Sequence, residues 1–280
     1  MTGLQAIHPA RRRILVFPRE HGAWGLLLVP LASGAFTGFT SASRLAIAGW
    51  LSVAAVAAFF ARTPIENALP GSPFHPRTRP EWIWLATMGA AYGFIAVVSL
   101  GKLLNDNVPL IFWALAGVVC GLFVLQVPLK RFGRQGRVLG ELAGALGLAA
   151  GAPAAYVVAC GRLGSEAILL WGANWLFASD QIFYVQMRIS QARVESREQK
   201  LREGLGFFLS QLTLVGVLLA ALRAGWINSA VTLSFVPVLL RGFAWFLLPA
   251  GPPLEILRLG KSELGQAALF CLLLTMAFRF

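Results

Sequence analysis

The residues most able to do chemistry lie near the end of one apolar run, as Trp175, Asp180, Gln181, Tyr184, Met187 and Arg188. Asp180, Tyr184 and Arg188 follow one another at i, i+4 and i+8, so one helix face carries all three. Asp180 sits about two turns inside the run. A charge at a bilayer centre costs roughly 2.5–3.5 kcal/mol on insertion scales, and a residue kept at that cost reads as functional. It would meet a polar ligand or an ion. The structural alternative is an ion pair, with Arg188 or with Arg62, that holds helices in register.

Three further groups carry polar chemistry. Phe17-Pro18-Arg19-Glu20-His21-Gly22-Ala23-Trp24 opens the first apolar run. Capping and interfacial anchoring account for Pro18, Glu20 and Trp24, whereas His21 is left over as a possible polar-site residue. After the second run stand Ala61-Arg62-Thr63-Pro64-Ile65-Glu66-Asn67 and Pro76-Arg77-Thr78-Arg79-Pro80. Their arginines offer forked donors to a phosphate, or snorkel to the membrane surface. Lys130 and Arg131 precede Gly140, Gly144, Gly147 and Gly151, which form small-xxx-small steps suited to close helix packing. Cys120, Cys160 and Cys271 lie in apolar runs without metal-ligand spacing. No zinc pattern, Ser-His-Asp order, P-loop or dinucleotide fingerprint occurs.

These groups need elements to hold them, and composition says which. Of 280 residues, 57% are hydrophobic and only 13% charged, with a mean hydropathy of +0.69. Continuous apolar runs of about 16–22 residues fit bilayer-crossing α-helices and exclude a soluble domain, a disulfide scaffold and an alternating β-barrel. Nine spans are predicted, at 22–39, 45–61, 81–101, 107–127, 138–160, 165–187, 205–223, 226–248 and 263–278. The second is short. The basic residues alternate loop by loop, 18 on one side against 5 on the other. The excess places the N-terminus in the cytoplasm and the C-terminus outside. The reading is an all-α, polytopic, multi-pass protein of the cell (plasma) membrane. Residues 1–21 form a basic cytoplasmic arm and 22–280 a single nine-helix domain. The net charge of +12 then orients the protein and implies no nucleic acid.

At this point the chain resembles a family. Pro18-Arg19-Glu20-His21-Gly22-Ala23-Trp24, followed by Leu26-Leu27-Leu28-Val29-Pro30, looks like the opening of the YwiC-like membrane proteins. Ala61-Arg62-Thr63-Pro64 looks like their second hallmark. A more distant resemblance, to the UbiA superfamily of intramembrane prenyltransferases, covers nearly the whole chain. It is carried by Gly22 to Pro30, Arg77-Thr78-Arg79-Pro80, Pro128-Leu129-Lys130-Arg131, Asp180 to Arg188 and Leu257 to Gly265. That likeness implies a nine-helix bundle with its site on the cytoplasmic side. It also implies magnesium held by two Asp-rich motifs. Here those motifs are degenerate: Glu66 and Asn67 are the candidates in the first, and Met187 stands where the second expects a carboxylate after Asp180.

The expectation is therefore a cytoplasm-facing basic cavity for an isoprenoid-like or other amphiphile with an anionic, phosphate-type head. His21, Arg62, Arg77, Arg79, Lys130, Arg131, Asp180, Tyr184, Arg188 and Lys261 are its candidate ligand-binding residues. Asp180 is the candidate catalytic residue, and Glu66, Asn67 and Asp180 are the candidate metal ligands. Basic side chains would take over the neutralising role of magnesium. Two alternatives stay open: a non-catalytic membrane subunit or transporter-like carrier, in which Asp180 and Arg241 are structural or line a solute path, and an atypical active prenyltransferase.

Overall fold

A computed structural model describes residues 7–18, 23–106, 108–129, 133–193, 196–247 and 255–279. The helices are α1 (Pro9–Val16), α2 (Ala23–Thr37), α3 (Ala42–Ala68), α4 (Arg79–Asn105), α5 (Leu110–Leu129), α6 (Gly133–Ala149), α7 (Gly151–Cys160), α8 (Ser165–Ser190), α9 (Arg197–Arg223), α10 (Ser229–Ser234), α11 (Val236–Leu247) and α12 (Ile256–Arg279). The described residues contain no strand. Five segments are long and apolar enough to cross a membrane: α3, α4, Val138–Cys160 across α6 and α7, α9 and α12. Shorter apolar helices run over Trp24–Thr37, Leu110–Leu122 and Val236–Leu247. On α4, Phe94 and Val97 are 70% and 67% exposed, an arrangement suited to lipid and costly in water. The chain is an integral membrane protein.

The sequence expectations are corrected at two places. The second span is not short, because α3 continues through Arg62 to Ala68. The Arg62 Nε donates to Glu66 Oε1 at 2.8 Å, bridging one turn across Pro64. The basic arm contains α1, whose Leu15 and Val16 are fully buried. The eighth span breaks into α10 and α11, whereas the fifth, Val138–Cys160, stays one apolar segment across α6 and α7. Pro153 has no N–H for the carbonyl four residues back, which leaves a one-residue junction at Ala150 between α6 and α7. Pro237 does the same after Phe235. Gly225, at φ +72°, ends α9 as its place after an apolar run predicts.

Two apolar cores share α2 and α7. One gathers Phe177, Phe235, Phe270, Leu170 and Leu274, with Phe177 and Phe270 stacked at 4.1 Å. The other gathers Leu31, Leu103, Phe112, Val157 and Val158. The α2–α7 crossing depends on Gly34, where an added Cβ would run into the backbone of Ala152. Gly147 and Gly151 likewise face Leu122 and Leu31 at packing distance, so those glycines serve helix contact. Polar side chains lace the helices at depth. Asn174 on α8 donates to Ser33 Oγ on α2 at 3.1 Å. Trp171 and Trp175 donate to the carbonyls of Leu146 and Leu142 on α6.

Hydrogen bonds also sort the loops by end. Thr40 reaches the carbonyl of Ala159, Arg279 that of Phe39 and Asn228 that of Ala277. These gather segments 38–41, 159–161 and 228 and the end of α12. At the opposite end α1 docks on α3 and α4. There Asn67 donates to the Leu15 carbonyl, and Arg11 donates to both carboxylate oxygens of Glu81, at 3.0 and 3.2 Å.

Candidate functional site

Asp180 faces the protein interior and is 5% exposed, as a carboxylate within an apolar helix must be. The face of α8 that it shares with Phe177, Gln181 and Tyr184 turns toward α9, α11 and α12. Gln211 on α9 donates to Asp180 Oδ1. Arg241 on α11 places Nη2 at 4.0 Å from Asp180 Oδ2. The same guanidinium donates through Nη1 to Glu263 Oε1 on α12 at 2.5 Å. Gln181 fits between, its amide oriented to donate to Glu263 and to accept from Arg241. The ring of Tyr184 lies 3.9 Å from the Arg241 guanidinium carbon. One arginine therefore serves two buried carboxylates, two glutamines supply neutral hydrogen bonds and a tyrosine face covers the cation.

Packing fixes this arrangement. An added Cβ at Gly242 would come 2.7 Å from Gln211 Oε1 and 3.0 Å from the Phe207 ring, so the glycine admits the Gln211 amide against α11. Asp180 Oδ2, Gln211 Oε1 and Arg241 Nε are buried without a hydrogen-bond partner among the described residues.

A second layer lies one to two turns further along α8. The Arg188 guanidinium stacks over the Trp245 indole at 3.6 Å and donates to Tyr184 Oη at 3.3 Å. Lys200 on α9, buried, donates to the Trp245 carbonyl at 2.7 Å and lies 4.7 Å from the same ring. Gln191 holds the indole in place, accepting from its Nε1 and donating to the Lys200 carbonyl, both at 3.0 Å. Among the described residues no carboxylate pairs with Arg188.

The predicted site residues divide. Asp180, Tyr184 and Arg188 come together as their spacing predicts. The cation beside Asp180 is Arg241, in place of the anticipated Arg188 or Arg62. Arg62 and Glu66 pair with each other on α3, and Asn67 is spent on the end of α1 and on Ser72. Arg77 and Arg79 are exposed beside α1, and Lys261 is exposed on α12. His21, Lys130 and Arg131 lie outside the described residues. Trp24 packs against the rings of Phe59 and Phe60, both at 5.4 Å. A groove of about 620 Å³ between α2 and α12, lined by Val29, Phe36, Ala268 and Leu272, contains none of these candidates.

Gln211, Glu263, Lys200 and Trp245 escaped the sequence reading. Gln211 and Glu263 are single polar residues in or beside apolar runs, which is the signal that flagged Asp180. The donor set does not suit magnesium, which asks for hard oxygen ligands around a nearly octahedral ion. Between Asp180 and Glu263 a guanidinium already stands where an ion would. Among the described residues no three His, Cys, Asp or Glu side chains form a group able to hold a metal.

Comparison with known proteins follows the N-terminal hallmarks. Residues 17–156 match the family described as YwiC-like protein. The uncharacterized protein YwiC of Bacillus subtilis (strain 168) is 26% identical over 265 residues, which span 93% of this chain and 98% of that protein. No solved structure matches the chain. The match over half of the chain and the apolar helices agree: the protein belongs to the YwiC-like family of proteins and is built into a membrane.

Proposed function

We propose that the protein binds the anionic, phosphate-type head of an isoprenoid-like or other amphiphile where α8, α9 and α11 meet at their cytoplasmic ends. Arg188 carries this reading. Its guanidinium is flattened on Trp245, has the Tyr184 hydroxyl as its hydrogen-bond partner among the described residues and keeps donors for a ligand oxygen. Asp180, Arg241 and Glu263 form the floor that keeps Tyr184 in place. No metal enters: the positive groups are side chains. In this reading the chain crosses the plasma membrane nine times in a UbiA-like bundle, N-terminus inside and C-terminus outside. The alternation of basic loops supports that count, as does the gathering of segments 38–41, 159–161 and 228 at one end.

A second reading, a non-catalytic subunit or carrier, draws on the pairing of one guanidinium, Arg241, with both Glu263 and Asp180, as in a structural ion-pair set. A labelled isoprenyl diphosphate offered to the purified protein separates the readings. Retention of the label in wild type and its loss in Arg188→Gln supports head-group binding. Equal retention in both proteins rejects it, and transfer of the label to an acceptor would establish prenyl transfer instead.

A further inference from the structure

We infer that α1 and the start of α4 form a docking plate for the anionic phospholipid headgroups of the leaflet at their end of the protein. The plate is built from a shared carboxylate. Glu81 is buried and accepts from the Arg11 side chain and, at 2.8 Å, from the Arg77 backbone N–H. Arg11 also donates to the His75 carbonyl at 3.0 Å. Trp84 Nε1 donates to the Arg12 carbonyl at 3.3 Å, and the Arg12 guanidinium lies 5.7 Å from the Trp84 ring. With Asn67 holding the Leu15 carbonyl, α1 is pinned along its length.

This pinning has a charge consequence. Glu81 is consumed inside the plate, while Arg12, Arg13, Arg77 and Arg79 remain exposed. Among the described residues none of these four pairs with a carboxylate. Positive-inside sorting asks only that basic residues lie in the loops. It does not ask that two separate segments be locked together with four exposed arginines around one buried carboxylate. Beside them stand exposed Phe17, Trp82 and Ile83, at 45%, 40% and 57%. Aromatic residues of this kind mark the boundary between hydrocarbon and headgroups, so the arginines reach the phosphate level. Four or more basic residues next to a membrane helix attract anionic lipid, by roughly a fivefold preference for each.

The test uses the full chain in vesicles of mixed phosphatidylglycerol and phosphatidylcholine, extracted with little detergent, with the retained lipids weighed by mass spectrometry. Wild type is expected to retain phosphatidylglycerol above the vesicle ratio, and salt to reduce that excess. Arg12→Gln with Arg13→Gln, or Arg77→Gln with Arg79→Gln, is expected to lower the excess by about tenfold or more. Arg197→Gln with Arg202→Gln, a pair flanked by Glu198 and Glu203, is expected to leave it unchanged. A wild-type ratio equal to that of the vesicles would overturn the inference. So would an excess that survives in both plate variants, which is the result expected if the plate serves an acidic soluble partner.

Discussion

Arg241 on α11 donates to Glu263 on α12 at 2.5 Å, and both side chains are about nine-tenths withdrawn from solvent. The pair ties α11 to α12 beside Asp180 of α8. Removing one partner of such a pair costs far more than removing the whole set, because an uncompensated charge stays buried.

Arg241→Met leaves Asp180 and Glu263 together without a cation. It is expected to destabilise the protein by about 3–5 kcal/mol in detergent unfolding. Combining it with Asp180→Asn and Glu263→Gln should recover most of that loss. A triple variant no more stable than Arg241→Met would mean that the three side chains are not coupled. Asp180→Asn alone should cost much less, because Glu263 still answers Arg241.

The α2–α7 crossing gives a second test. An added methyl at Gly34 meets the Ala152 backbone, which cannot swing aside. Gly34→Ala is expected to cost roughly 1–3 kcal/mol. Gly93→Ala meets nothing within 4 Å and should leave the melting temperature level or higher. Equal effects at the two positions would remove the close approach from the account.

Docking of α1 rests on Asn67, which donates to the carbonyls of Leu15 and Ile14 at 3.1 and 3.5 Å. Asn67→Ala is expected to speed amide exchange across residues 9–16 while leaving that of α8 unchanged. Unaltered exchange in α1 would show that Leu15 and Val16 hold the helix by burial alone.

Topology is tested by reporters. One fused after Phe280 is expected to be active only outside the cytoplasm, and one placed in the 196–200 segment only inside. A cytoplasmic signal after Phe280 would contradict the odd number of crossings.

Much of this was legible in the sequence, for physical reasons. Continuous apolar runs mark helices in lipid, and the i, i+4, i+8 spacing put Asp180, Tyr184 and Arg188 on one face. The helix-to-helix partners were not legible. Nothing local says that Arg241 meets Asp180 across 61 positions, or that Glu263 completes the set. The end of α3 was not legible because the apolar run stops at Arg62, whereas the helix runs on through the Arg62–Glu66 pair to Ala68. The α1 helix was hidden by its basic composition, since its two buried apolar residues are too few to show a period.

The central claim concerns Arg188, and the most direct measurement is native mass spectrometry of the purified protein with its co-purifying lipid. The account predicts a phosphate-bearing amphiphile on wild type, lost in Arg188→Gln and in Trp245→Ala and retained in Arg77→Gln. Asp180→Asn should still fold and carry an altered lipid profile, as its charge helps set Tyr184 and Arg241. The same phosphate-bearing lipid on wild type and on Arg188→Gln, with both proteins equally stable, would contradict the account.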